Sequence, residues 1–70
     1  MESLANAKNG EICTIKWLLG DSGTVDMMNS YNIKEGSTIR VIEQCMGDVI
    51  IGFGNVRLAL CNKAADRIKI

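Results

Sequence analysis

The sequence predicts a mainly β domain: a small, partly closed barrel of about five short strands. One short helix falls between the first and second strands, and a short helical turn precedes the last. Three observations carry this reading. Residues 47–60, GDVIIGFGNVRLAL, read as two strands folded back on a two-residue Gly54-Asn55 loop. Short alternating apolar runs elsewhere end in turn signals such as Asn9-Gly10 and Gly36-Ser37. Seventy residues, 47% of them hydrophobic, make one globular domain over residues 1–70 with one modest core.

Along the chain, Leu4 and Ala7 precede the Asn9-Gly10 turn, which launches a first strand over residues 11–17. Alternation there puts Cys13, Ile15 and Trp17 on one side and Ile12, Thr14 and Lys16 on the other. Gly20-Asp21-Ser22-Gly23 breaks the run, and Asp21 or Ser22 is a sound cap for a short helix reaching about Tyr31. Val25, Met28 and Tyr31, with Met27 alongside, have the spacing of one buried helical stripe. Asn32 suits the left-handed position where that helix stops, and Ile33 then folds back onto its last turn.

Gly36 supplies the permissive backbone for the next turn, and residues 38–43 form the second strand, with Ile39 and Val41 facing one way. Cys45, Met46 and Gly47 connect it to the hairpin. A turn at Gly54-Asn55 pairs Phe53 with Val56, Ile51 with Leu58 and Val49 with Leu60, so all six side chains share one face. A one-residue slip would move that whole apolar set into water, which specifies the register. Asn62 then caps a turn over Lys63, Ala64 and Ala65, and Ile68 and Ile70 alternate in a final strand lying beside the first.

Composition excludes several functions. Eight basic and eight acidic residues cancel, whereas nucleic-acid binding draws its affinity from an excess of Lys and Arg. Lys63, Arg67 and Lys69, interrupted by Asp66, read as a solvated face. The apolar runs Val49–Ile51 and Leu58–Cys61 are far too short to insert in a membrane. The N-terminus lacks a basic region followed by an apolar one, so a cytoplasmic location is expected.

With no His in the chain, a Cys or Ser nucleophile lacks its imidazole base, so no enzyme and no catalytic residue is expected. Cys13, Cys45 and Cys61 are odd in number and widely spaced, which argues against a disulfide framework and a closed zinc site. They read as structural or incidental thiols, with Cys13 packed inward as a small hydrophobe. The Gly20/Gly23 and Gly52/Gly54 pairs lack the residues that make a phosphate loop. No cofactor and no metal site is expected.

The ordered set of residues resembles the FeoA family, and also the SH3-like domain that ends DtxR-type repressors. Leu4 and Gly10 fit the opening of the family pattern, with Ala7 in place of a second leucine, and Trp17 to Asp21 matches a strand ending near Gly-Asp. Tyr31-Asn32-Ile33 and Lys34-Glu35-Gly36-Ser37 stand where the family has Leu-Gly-Leu and x-Pro-Gly-Thr. Ile39-Arg40-Val41-Ile42 is similar to its second strand, and Gly47-Asp48 to its Gly-Asp-Pro, with Val49 for Pro. Arg57-Leu58-Ala59-Leu60 matches its characteristic strand, with Cys61 where Arg is usual. Ala64 or Ala65, then Ile68 and Ile70, resemble its closing segment.

This resemblance, from Leu4 to Ile70, implies an SH3-like barrel acting as a small cytosolic adaptor of a bacterial ferrous-iron uptake system. Its implied partner is the soluble GTPase region of a FeoB-type membrane permease, met without chemistry of its own. The alternative is a stand-alone regulatory or peptide-binding module related to the repressor domains. For the docking surface, Met27, Met28 and Tyr31 are candidates, because Met adapts to irregular surfaces and Tyr is enriched at interfaces. The same residues also fit a plain core stripe. Arg57, on the face opposite Leu58, is a further candidate, its fork suited to a carboxylate or simply to water. Exposed strand edges also leave weak self-association open.

Overall fold

The computed structural model describes residues 2–45 and 47–70. After a 3-10 turn at Leu4–Asn6 come β1 (Ile12–Thr14), β2 (Trp17–Leu18), helix α1 (Ser22–Ser30), β3 (Thr38–Cys45), β4 (Asp48–Phe53), β5 (Val56–Cys61), helix α2 (Asn62–Asp66) and β6 (Ile68–Lys69). The fold is SH3-like. Strands β1, β3, β4 and β5 form one antiparallel sheet in the order β1-β3-β4-β5, and β2 pairs with β6 in a second. The two sheets do not close into a barrel.

The β4–β5 hairpin has the expected register, with Phe53 opposite Val56, Ile51 opposite Leu58 and Val49 opposite Leu60. Gly54 has φ 59° and Asn55 does not share its positive φ, so the loop is the glycine-first form of a primed turn. Burial along the shared face is graded: Val49, Ile51 and Leu60 are buried, while Phe53, Val56 and Leu58 toward the turn are half-buried. Ile39 and Val41 of β3 complete the inner face.

Strand β3 is longer than expected and carries a bulge. Val41 pairs with Ile51 and Glu43 with Ile50, which leaves Ile42 as the extra residue. Without it, alternation from Val41 would turn Glu43 and Cys45 into the core; with it, both are exposed and Gln44 faces inward. The Gln44 amide nitrogen then donates toward the carbonyls of Leu4 (3.1 Å), Ala5 (3.2 Å) and Ala7 (2.6 Å), tying the N-terminal turn to the sheet. Cys45 is the last residue of the strand and pairs with Asp48. Of the residues expected to connect the strands, Gly47 has φ 90° and Met46 lies outside the described residues.

The first strand differs from expectation. Instead of running from 11 to 17 it divides at Ile15 and Lys16, which raises the count from five strands to six. The Ile15 N–H donates to the Ser37 carbonyl (2.9 Å), whereas the Lys16 N–H donates to the Lys69 carbonyl (2.8 Å). At that step the chain leaves β3 for β6, and alternation is lost: Cys13 and Ile15 are buried, but Lys16 and Trp17 are both exposed. Trp17 is therefore not a core residue. The expected neighbourhood of first and last strands is present in β2, where Trp17 pairs with Lys69 and Leu18 with Ile68.

Helix α1 starts at Asp21, whose carboxylate accepts from the Thr24 N–H at 2.7 Å. It ends with Asn32 at φ 67°, the Asn32 N–H donating to the Asn29 carbonyl (2.9 Å) and the Ile33 N–H to the Met28 carbonyl (2.9 Å). Those two bonds make a Schellman ending, whose usual apolar contact falls to Ile33 and Met28, both fully buried. Of the nine helical residues only Met28 is buried, with Val25 half-buried and Met27 exposed. Asn62 is the first residue of α2 rather than its cap. Cys61 holds the cap position without a side-chain hydrogen bond, and the Asn62 N–H donates to the Gly47 carbonyl at 2.9 Å. Ala65 of α2 packs into the common core with Leu4 and Ile68.

Candidate functional site

The exposed residues that chemistry would use fall in one chain segment and on one sheet face. The first follows the chain from β2 into α1. Trp17 (50% exposed), Leu19 (51%), Met27 (37%) and Tyr31 (44%) lie within this one stretch. Scattered single apolar residues on a surface need no explanation, but Trp, Met and Tyr are the types enriched at protein interfaces. Local structure holds this stretch in place. The Leu18 N–H donates to the Glu35 carboxylate (3.2 Å), and the Leu19 N–H to the Arg67 carbonyl (3.0 Å). Hydrogen bonds from Thr24 hold the Asp21 carboxyl below its ordinary range, so the cap stays charged at neutral pH.

The sequence candidates divide on this surface. Met27 and Tyr31 are exposed at the helix and its end, while Met28 is fully buried and presents no atom to a partner. Trp17 and Leu19 escaped sequence reading. Alternation placed Trp17 inward, and only the change of pairing partner at Lys16 reverses it.

Arg57 lies on the second surface, the outer face of the four-stranded sheet. Pairing aligns Ile12 with Arg40, Arg40 with Gly52 and Gly52 with Arg57, one row across β1, β3, β4 and β5. A shallow depression of about 570 Å3 lies over this row and includes Ile42 in its lining. Arg40 and Gly52 were legible in part, since Ile39 and Val41 facing inward sends Arg40 outward. Their juxtaposition with Arg57 required the register.

Cys13 lies inside the protein, whereas Cys45 and Cys61 lie on the outer side of the sheet, at the end of β4 away from the arginine row. Cys13 is buried, and burial, reinforced by the charge of Glu11, pushes its thiol up. Cys45 is exposed and donates to the Glu43 carboxylate at 3.0 Å, a bond that also pushes its thiol up, away from a reactive thiolate. Cys45 and Cys61 both pair with Asp48 from opposite sides of β4. That spacing, roughly 10 Å between Cα atoms, exceeds disulfide reach. Among the described residues no group of three or more His, Cys, Asp or Glu could hold a metal ion, and no helix is long and apolar enough to cross a membrane.

Known proteins share this architecture. The FeoA domain profile matches residues 2–70. A crystal structure of an iron uptake regulatory protein (FeoA) superposes with a TM-score of 0.81 at 28% identity, over 96% of this chain and 89% of that one. The solution structure of the FeoA protein from Chlorobium tepidum gives a TM-score of 0.85 at 14% identity, over 96% of this chain and 66% of that one. A manganese-dependent transcriptional repressor gives 0.79 at 20% identity, and the match spans 96% of this chain but only 39% of the repressor. No curated protein sequence matches.

Proposed function

The chain belongs to the FeoA domain family, and on that premise we propose that it is a small, non-catalytic accessory protein of a bacterial ferrous-iron uptake system. In this proposal it acts in the cytoplasm by docking on the soluble GTPase region of a FeoB-type permease. The observation that carries the docking reading is the exposure of Trp17, Leu19, Met27 and Tyr31 along β2 and α1. Among the described residues the other exposed large apolar side chain is Ile12 on β1, so four of the five fall in this one stretch, which is the pattern of a partner-binding segment. The mechanism is occupancy: these side chains desolvate against an apolar segment of the permease, while local backbone bonds and the Asp21 cap keep them in position. Met28 supports the surface from below rather than touching the partner. The likeness to the repressor is one of fold and supplies no function.

Chemical-shift mapping of the labelled protein against the permease's cytosolic domain tests this. The expected result is a set of shifted amides covering residues 17–19 and 24–33. An unchanged spectrum in both stretches would remove this surface and the docking mechanism built on it.

A further inference from the structure

The outer row of the four-stranded sheet carries a feature that docking through α1 leaves unused. Arg40 and Arg57 stand on either side of Gly52 on the exposed face, one strand away on each side. Their Cα atoms are thus roughly 10 Å apart, close enough for both side chains to lean over the residue between them. Gly52 does not owe its identity to backbone conformation, because it is not among the glycines with positive φ. Its open side is instead covered by the flexible end of a neighbouring side chain. A Cβ placed there would come within 3.0 Å of the Ile42 Cδ1. The bulge residue Ile42 thus leans over the glycine, and the depression has an apolar floor between two guanidinium walls. Ile12, 62% exposed, closes the end of the row at β1.

Neither guanidinium donates to a side chain or carbonyl among the described residues. Among the carboxylates of β3 and the turn before β1, Glu11 accepts from the Lys8 N–H at 2.9 Å and Glu43 from the Cys45 thiol at 3.0 Å, neither from an arginine. We propose that Arg40 and Arg57 form a clamp across Gly52 for a carboxylate side chain of a partner protein, in an acidic segment whose apolar neighbours rest on Ile12 and Ile42. Two planar forks suit a carboxylate, and the isoleucines suit the aliphatic residues beside it. Nucleic acid fits poorly, because two cations in a chain of zero net charge release few counterions. The clamp adds a second contact to docking and rests on that reading only in requiring a protein partner.

The test uses the full labelled chain and three probes: the acetylated, amidated tetrapeptide Leu-Glu-Asp-Leu, its neutral counterpart Leu-Gln-Asn-Leu, and inorganic phosphate. The expected result is saturable shifts at Ile12, Arg40, Gly52 and Arg57 with the acidic peptide, and affinity about tenfold weaker for the neutral one. Arg40→Gln and Arg57→Gln should each weaken binding about tenfold while leaving amide dispersion intact, since both side chains are exposed. The clamp is overturned by equal affinity for the neutral peptide, by phosphate binding as tightly as the acidic peptide, by an Arg40→Gln variant that binds normally, or by no saturable shift at millimolar peptide. Permease-domain shifts confined to residues 17–33, with a silent sheet face under acidic peptide, would retain the docking reading and discard the clamp. Shifts in the reverse pattern would retain the clamp alone.

Discussion

The four-stranded sheet and the stretch from Trp17 to Tyr31 obey opposite rules. In the sheet, away from the bulge at Ile42, alternation predicts burial: Ile39, Val41, Val49, Ile51 and Leu60 all point inward. In the stretch through β2 and α1, four large apolar side chains point outward, Met28 is fully buried and Leu18 packs partly against the core. A strand paired on both sides has its face dictated by its neighbours. A two-residue strand and a nine-residue helix at the margin are held by backbone bonds and caps, and their surfaces remain available to another molecule.

That contrast makes measurable claims, beginning with the largest effect. Ile51→Ala, in the middle of the sheet, should lower unfolding free energy by about 2–5 kcal/mol. Trp17→Ala should cost under about 0.5 kcal/mol and instead weaken permease binding. Urea titration of both variants checks this, and equal losses would abolish the distinction between support and surface. Gln44→Ala comes next, at about 1–3 kcal/mol, because three carbonyls of the N-terminal turn lose their shared donor. Its signature in hydrogen exchange is loosening at residues 4–7 with β4 and β5 unaffected.

Thiol labelling separates the inside of the sheet from its outside. Cys45 and Cys61 should react in the folded state, and Cys13 only on unfolding. Glu43→Gln should accelerate Cys45, because the thiol donates to that carboxylate and its negative charge disfavours the thiolate. Asp21 gives α1 a pH signature of its own. Its carboxyl is lowered from an ordinary value of 3.8, so its contribution is complete above that value and is lost as pH falls through the lowered folded value. Asp21→Ala should fray residues 22–24 at neutral pH and remove this acid dependence of the helix, seen by circular dichroism. The smallest effect belongs to Ser3, whose buried hydroxyl has no hydrogen-bond partner among the described residues. Ser3→Ala should be neutral or stabilising by up to about 1 kcal/mol, since no bond is given up.

Much of this architecture is legible in the chain, because the relevant forces are local. The Gly54 turn sets the hairpin register, Asp21 and Asn32 mark both ends of α1, and parity sends Arg57 outward. Two departures share one cause. Trp17 and the bulge at Ile42 each break alternation where pairing changes, and pairing is a long-range choice. Asn62 was misplaced by one position because Asn is an apt cap by type, yet the chain enters α2 from a strand that ends at Cys61. Arg57 was found singly. Its partners across the sheet, Gly52 and Arg40, lie 5 and 17 residues earlier in the chain and meet it only through two strand pairings.

What the amino-acid order settled is the inward half of the protein, where burying apolar area permits one hairpin register and a small family of turns. What waited for tertiary structure is the outward half: the exposed Trp17 and Leu19, the exposed Tyr31 that spacing places in the buried stripe, and the arginine row. Burial is rewarded residue by residue and leaves a periodic trace. The identity of neighbours on a surface depends on which strand pairs with which, and no periodicity records that.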